Sequence, residues 1–404
     1  MTVVEQPDVS VVIGAYEAMP YLAECLASVE AQSIGPARME VIAVDDGSTD
    51  GTGAYLDEFA ARAPMPVTVL HQENSGGPSG PRNTGLGKAS GRYVFFLDAD
   101  DRLGTEALER MVAMADENGT DVVLGRVEGV NRTAPKVMWD RTLARTDVFS
   151  SAVKFTLSAQ KLFRRALLEK HGMRFDESLR TGEDAVFTME AYLRADGISV
   201  LADYTCYYLV GREDGKQATK RGSYTLRFDS AHALTKLIAD MVPAGDRRDT
   251  LMVRPFLITL LPQFGPRFLR DDDEVRRHKF ELARPLMEAH WNPGVARRVK
   301  VHERLRLHLV AAGRPDLLLD VLRFIKDKKE APAVLERRDT EVYLAYPHFR
   351  SEAAGIPDEI YRAAHREARA VPGYREAAAR SFMRRALRKI RRMLPGDGFG
   401  ATAA

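Results

Sequence analysis

Three stretches of the chain place acids and bases at spacings that chemistry could use. In YVFFLDADDRL (Tyr93 to Leu103), four apolar residues run directly into Asp98, Asp100 and Asp101. Carboxylates this close repel one another unless a cation or hydrogen-bond donors sit among them. Such a pair suits Mg²⁺ or Mn²⁺, hard cations that bind one or two carboxylates and complete their shell with substrate phosphates. In RTGEDAVFTMEAYL, Glu183 and Asp184 open a helical pattern directly after Gly182, which lets backbone and substrate approach closely. A carboxylate there could take a proton from an attacking hydroxyl. Both stretches also have a plain structural reading. Asp is common where strands stop, and Thr181 with Asp184 fits a T-x-x-D variant of the capping box. The third stretch, NSGGPSGPRNTG, carries Asn74, Arg82 and Asn83.

These residues need a frame, and the first half of the sequence supplies one. VSVVIG, MEVIAVDD, PVTVLH and RYVFFLDAD read as strands, the apolar runs as strands buried on both faces. Between them lie helical patterns, one with Tyr21, Leu22, Cys25, Leu26 and Val29 on a single face. Alternating strands and helices predict a parallel sheet with right-handed crossovers and helices on both faces. Ligands of such a sheet bind beyond the carboxyl ends of its strands. The polar residues fall there: Ala15, Tyr16 and Glu17 after the first strand, Asp45 and Asp46 after the second, Asn74 and Arg82 after the third, Asp98, Asp100 and Asp101 after the fourth.

Two common phosphate-binding frames are excluded. Around Gly87-Lys88, Arg82 and Ala89 occupy the Gly and Ser/Thr positions of a Walker loop, and IGAYEAMP replaces the glycine fingerprint of dinucleotide folds. The 404 residues favour two domains, and a formal net charge of +2 gives no global signal for nucleic acid. Two cysteines, Cys25 and Cys206, in apolar surroundings exclude a disulfide framework. The nine histidines lack ligand spacing. MTVVEQPDVS has no basic start followed by a long apolar stretch, and FLITLL (Phe256 to Leu261) is too short to span a bilayer, so a cytoplasmic setting is expected.

In order, VSVVIGAYE, VDDGSTDGT, NSGGPSGPRNTG, FLDADD and GEDAVF resemble the family 2 glycosyltransferases of the GT-A fold, over about Val9 to Val210. The resemblance implies an inverting, metal-dependent transfer from a UDP-sugar. It implies that Tyr16 packs on the uracil, Asp46 accepts from the base, and Arg82 lies near the nucleotide and its phosphates. Asp98 would sit near the ribose, with Ala15, Glu17, Asn74 and Ala99 completing the nucleotide-sugar set. Asp100 would bind the Mn²⁺ or Mg²⁺, and Asp184 would be the catalytic base, with Glu183 in reserve. More narrowly, NSGGPSGPRN, AQKLFRRALLEKHGMRFDE and ISVLADYTCYY resemble bacterial transferases that glycosylate wall teichoic acid and related polyol-phosphate polymers, which implies a glycopolymer acceptor of the cell envelope. The rivals are a glycoside hydrolase, which also uses paired carboxylates, and a non-catalytic sugar-nucleotide or polymer-binding protein on the same fold.

From about Tyr224 strand patterns fade and Arg-rich helical segments punctuated by Pro take over. The expected division is a GT-A catalytic domain over 1–225 and an all-α domain over 226–404, with an acceptor, membrane-surface or oligomerisation role. YYLVGREDGKQATKRGS before it is polar and basic, with Arg212, Lys216, Lys220 and Arg221 able to face a diphosphate or an anionic acceptor. SFMRRALRKIRRML, residues 381–394, reads as a basic amphipathic helix suited to peripheral contact with the inner face of a membrane, to an anionic polymer, or to docking on its own domain. No nucleic-acid partner is expected, and a homo-oligomer is compatible with the helical half.

Overall fold

The structure is a computed structural model that describes residues 6–213, 223–327, 329, 331–336, 341–364 and 367. Its contacts divide the chain into two compact units, Met1–Pro255 and Phe256–Ala404.

The first unit is built on nine strands: β1 (Val9–Ala15), β2 (Met39–Asp45), β3 (Val67–His71), β4 (Tyr93–Asp98), β5 (Arg102–Leu103), β6 (Val122–Val130), β7 (Leu143–Thr146), β8 (Leu162–Arg164) and β9 (Ile198–Val210). They form one sheet in the order β3-β2-β1-β4-β8-β6-β9-β5, with β7 also on β9. β1 to β4 run parallel, as their apolar runs predict, and Gly14 lies level with both Val44 and Asp98. Their carboxyl ends therefore finish on one edge. Beyond β4 the sheet is mixed: β8 runs antiparallel to both β4 and β6. That reversal is invisible in the hydrophobic pattern, because a buried strand reads the same in either direction.

Helices α1 (Tyr21–Glu30), α2 (Thr52–Arg62), α3 (Ser79–Leu86), α4 (Ala107–Asn118), α5 (Arg165–Lys170) and α6 (Glu183–Arg194) connect the strands; α7 (Thr225–Met241) and α8 (Asp246–Arg254) follow them within the same unit. An aromatic cluster fixes α6 against β4. Phe96 of β4 meets Phe175 and Phe187 edge-on at 5.0 and 5.8 Å, Phe175 stacks on Phe187 at 4.0 Å, and Phe163 of β8 closes the set at 5.5 Å from Phe187. Each such pair adds about 0.5–1.5 kcal/mol beyond its buried area. The start of α6 is thereby held beside the end of β4.

The second unit contains α9 (Asp273–His290), α10 (Pro293–Ala296), α11 (Val301–Ala311) and α12 (Pro315–Lys326). The helical character expected here holds, with one addition, a hairpin of β10 (Ala333–Glu336) and β11 (Glu341–Leu344). Four-residue strands leave too little alternation to stand out among helical patterns. The segment 381–394, and Lys216, Lys220 and Arg221 of the basic connector, lie outside the described residues. No described helix is long and apolar enough to cross a membrane.

Candidate active site

The carboxyl edge of the sheet gathers the acids, and one cation organises them. Arg82 on α3 is 7% exposed. Its Nη2 donates to Asp98 Oδ1 at 2.8 Å and its Nη1 to Glu183 Oε1 at 3.0 Å, while its guanidinium lies over the Phe175 ring at 5.3 Å. The two carboxylates hold it charged against the cost of burial. Arg82 thus stands between the end of β4 and the start of α6. A planar fork with fixed donors can serve two acids at once, which a lysine point charge does less well.

Asp98 is fully engaged. Its second oxygen accepts from Gln160 Nε2 at 2.6 Å. Gln160 arrives there because β8 runs antiparallel to β4, which brings the residues just before it to the end of β4. Asp101 is buried and structural: it accepts from the Tyr207 hydroxyl at 2.8 Å and the Val210 amide at 2.7 Å, fastening β9. Burial, then Asp98 and Asp100, push its carboxyl up to about 8. Asp100 differs, for no side chain among the described residues donates to it. Burial and Asp98 raise its carboxyl to about 6, and Arg212 and Arg132 lie within electrostatic reach.

A hard divalent cation fits this set through Asp100. Among the described residues no three His, Cys, Asp or Glu side chains are arranged to hold a metal together. A half-buried carboxylate beside another acid, with no side-chain donor among the described residues, matches a cation that takes most of its shell from phosphates and water.

The other strand ends shape the floor. Tyr16 follows β1 with 48% of its surface exposed, and Ala15 and Ala99 are buried. Glu17 adopts φ +50° and accepts from the Thr49 amide at 2.8 Å and hydroxyl at 3.0 Å. Arg212 donates to the Glu17 carbonyl at 2.8 Å and covers the Tyr21 ring at 5.0 Å. Asp46 is 2% exposed, and its carboxylate takes the Gln72 amide at 2.6 Å and the Ser75 hydroxyl at 2.9 Å. Asn74 bonds the Asp46 carbonyl and the Gly76 amide. Both side chains here brace the loop after β3.

The start of α6 does not form the capping box. The residue that caps the helix is Gly182, at φ +81°, and no side chain caps it. Thr181 instead accepts from Arg227 at 3.1 Å. Asp184 therefore sits in the first turn without closing a capping box, where the helix dipole favours a negative charge. Burial raises its pKa, and Arg82, Arg254 and Lys161 pull the other way. Glu183, tied to Arg82, is pushed up to about 7 by burial and Asp184. Lys161 is 2% exposed, donates to Ser158 at its carbonyl and at its hydroxyl 3.3 Å away, and is pulled down to about 7 by burial despite Asp184. Neither Gln160 nor Lys161 stands out in sequence as a site residue. Both lie in AQKLFRRALLEKHGMRFDE, a stretch that carries the narrower family resemblance without singling out either residue.

Fold and site define an α/β domain that gathers its acids at the carboxyl edge of the sheet, with the end of β4 and the start of α6 joined through Arg82. A model of glycosyl transferase family 2 matches residues 10–174, and one of the glycosyl transferase TarS linker domain matches residues 226–322. The chain is 41% identical over 206 residues to the poly(ribitol-phosphate) beta-glucosyltransferase of Bacillus spizizenii, covering 51% of this chain and 32% of that one. It is 30% identical over 300 residues to the glycosyltransferase GlyG of Streptococcus pneumoniae, covering 68% of this chain and 94% of that protein. Staphylococcus aureus TarS 1–349 in complex with UDP-GlcNAc matches with a TM-score of 0.75 at 29% identity, covering 84% of this chain and 97% of that one. The chain belongs to glycosyl transferase family 2. The alignment spans about a third of the length of the Bacillus poly(ribitol-phosphate) enzyme.

Proposed function

We propose that this chain is an inverting, metal-dependent glycosyltransferase that moves a sugar from a UDP-sugar to a hydroxyl of a phosphate-linked polyol polymer of the poly(ribitol phosphate) type. The observation that carries the proposal is the Asp98–Arg82–Glu183 network, which sets the end of β4 and the start of α6 into one site. The relatives named for poly(ribitol phosphate), and the TarS complex with UDP-GlcNAc, support the acceptor and donor classes.

In this reaction the acceptor oxygen attacks the anomeric carbon as the bond to the diphosphate breaks. The electron pair leaves with UDP, and a single displacement inverts the centre. Asp184 takes the hydroxyl proton. Lys161 and Arg82 favour the ionised form of Asp184. Tyr16 offers an exposed ring for the base. Asp100 would hold a Mn²⁺ or Mg²⁺, which neutralises charge on the leaving diphosphate as a Lewis acid.

Calorimetry with UDP tests the donor side. Mn²⁺ should tighten UDP binding to the native protein, and Asp100→Ala should lose that gain along with transfer. Undiminished turnover of the variant in metal-free buffer would remove the metal from the mechanism.

A further inference from the structure

The loop that follows β6, residues 131–142, holds three cations that the site described above does not use. Arg132, Lys136 and Arg141 stand against one acid, Asp140. Among the described residues, no hydrogen bond, ion pair or ring contact engages the side chains of these three. Arg132 is half-buried and lies within electrostatic reach of Asp100. Its counter-charge is Asp100 itself, and no acid among the described residues hydrogen-bonds to it, so its donors stay available to an anion at that edge.

The base of the loop is placed by close backbone packing. Gly211 N, after β9, donates to Val130 O at 2.8 Å. A β-carbon on Gly129 would meet Arg132 O at 1.7 Å, and one on Gly211 would meet Asn131 O at 2.3 Å. Glycine at these positions lets the loop fold back over the end of β6 and pack against the chain leaving β9. Lys136 and Arg141 are exposed further along, with Val137 45% exposed between them.

We propose that Arg132, Lys136 and Arg141 form an anion track that binds successive phosphates of the acceptor polymer and leads it to the Asp100 edge. This rests on the function proposed above. A donor diphosphate presents one compact cluster of charge and could use Arg132 alone. Cations spread along a twelve-residue loop suit an anion that repeats.

Binding can be measured apart from turnover, on the full chain. The probe is a short fluorescent poly(ribitol phosphate) oligomer followed by anisotropy, with UDP affinity measured in parallel. Lys136→Ala/Arg141→Ala should weaken the oligomer about tenfold while leaving UDP affinity and the melting temperature unchanged. With about 0.7 counterions released per phosphate contact on a single-stranded polyanion, the slope of log affinity against log salt should flatten by about 1.4. Arg132→Ala should weaken the oligomer as well. Equal oligomer affinity and slope in variant and native protein would overturn the track, as would failure of the native protein to bind the oligomer at low salt. An Arg132→Ala loss confined to UDP would also overturn it, assigning that residue to the donor. If the native protein binds the oligomer through this loop yet transfers no sugar to it, the track stands and the proposed function fails.

Discussion

Asp184 and Lys161 form the pair on which the chemistry can be tested most directly. Asp184→Asn should leave UDP-sugar binding close to native and slow transfer by about 10²–10⁴, the usual worth of a positioned base. A helix-cap role would instead give near-normal turnover with a small loss of stability; since Gly182 occupies the cap, that outcome is not expected. The pH profile carries a second test. A base works ionised, and burial raises Asp184 above the ordinary carboxylate range near pH 4. The rate should therefore climb with pH on an acidic limb displaced above that range. Lys161 favours the ionised form of Asp184, so Lys161→Met should move the limb to still higher pH, and Lys161→Arg should leave it nearer the native position. A limb unmoved by the loss of Lys161 would reduce that residue to packing. As the carboxyl is raised in the folded state, its ionisation also costs stability as pH rises through the same interval.

At the scale of elements, the turn into α6 matters most. Gly182 has φ +81°, and a β-carbon there would lie 1.8 Å from Ser230 Oγ. Left-handed backbone alone costs a substituted residue about 1–2 kcal/mol. Gly182→Ala should lower the melting temperature and reduce turnover together, because the turn that strains is the one that aims Glu183 and Asp184. Adding Ser230→Gly should recover the steric part and leave the backbone part, which thermal melts of the two single variants and the double would separate. The parallel core was legible from the sequence, since VSVVIG and YVFFLD carry continuous apolar runs and the polar motifs of the first four strands stood at their ends. The roles of Gln160 and Lys161 were not legible, because they depend on β8 running against β4, and strand direction leaves no mark on a strand as short as LFR. Asp101 was read with Asp98 and Asp100 as one acidic cluster, yet its bonds to Tyr207 and Val210 make it the fastening of β9. Only a pairing across more than a hundred residues tells them apart.

At the scale of the molecule, sites far apart in sequence share a single counter-charge. Asp98 lies at the end of β4 and Glu183 at the start of α6, and Arg82 donates to both at once. Removing either acid leaves the guanidinium wholly to the other, so the losses should not add. Groups in one network show interaction energies of about 0.5–3 kcal/mol. A cycle of Asp98→Asn, Glu183→Gln and the double variant, followed by denaturant unfolding without ligand, should give a coupling in that range, and additive losses would mean the shared cation matters little. Such a coupling is reciprocal by necessity. A ligand that binds at Asp98 and changes its bond to Arg82 would then be felt at Glu183, by the same free energy in the other direction. On the function proposed above, donor occupancy and the setting of the turn into α6 would become two readings of one equilibrium.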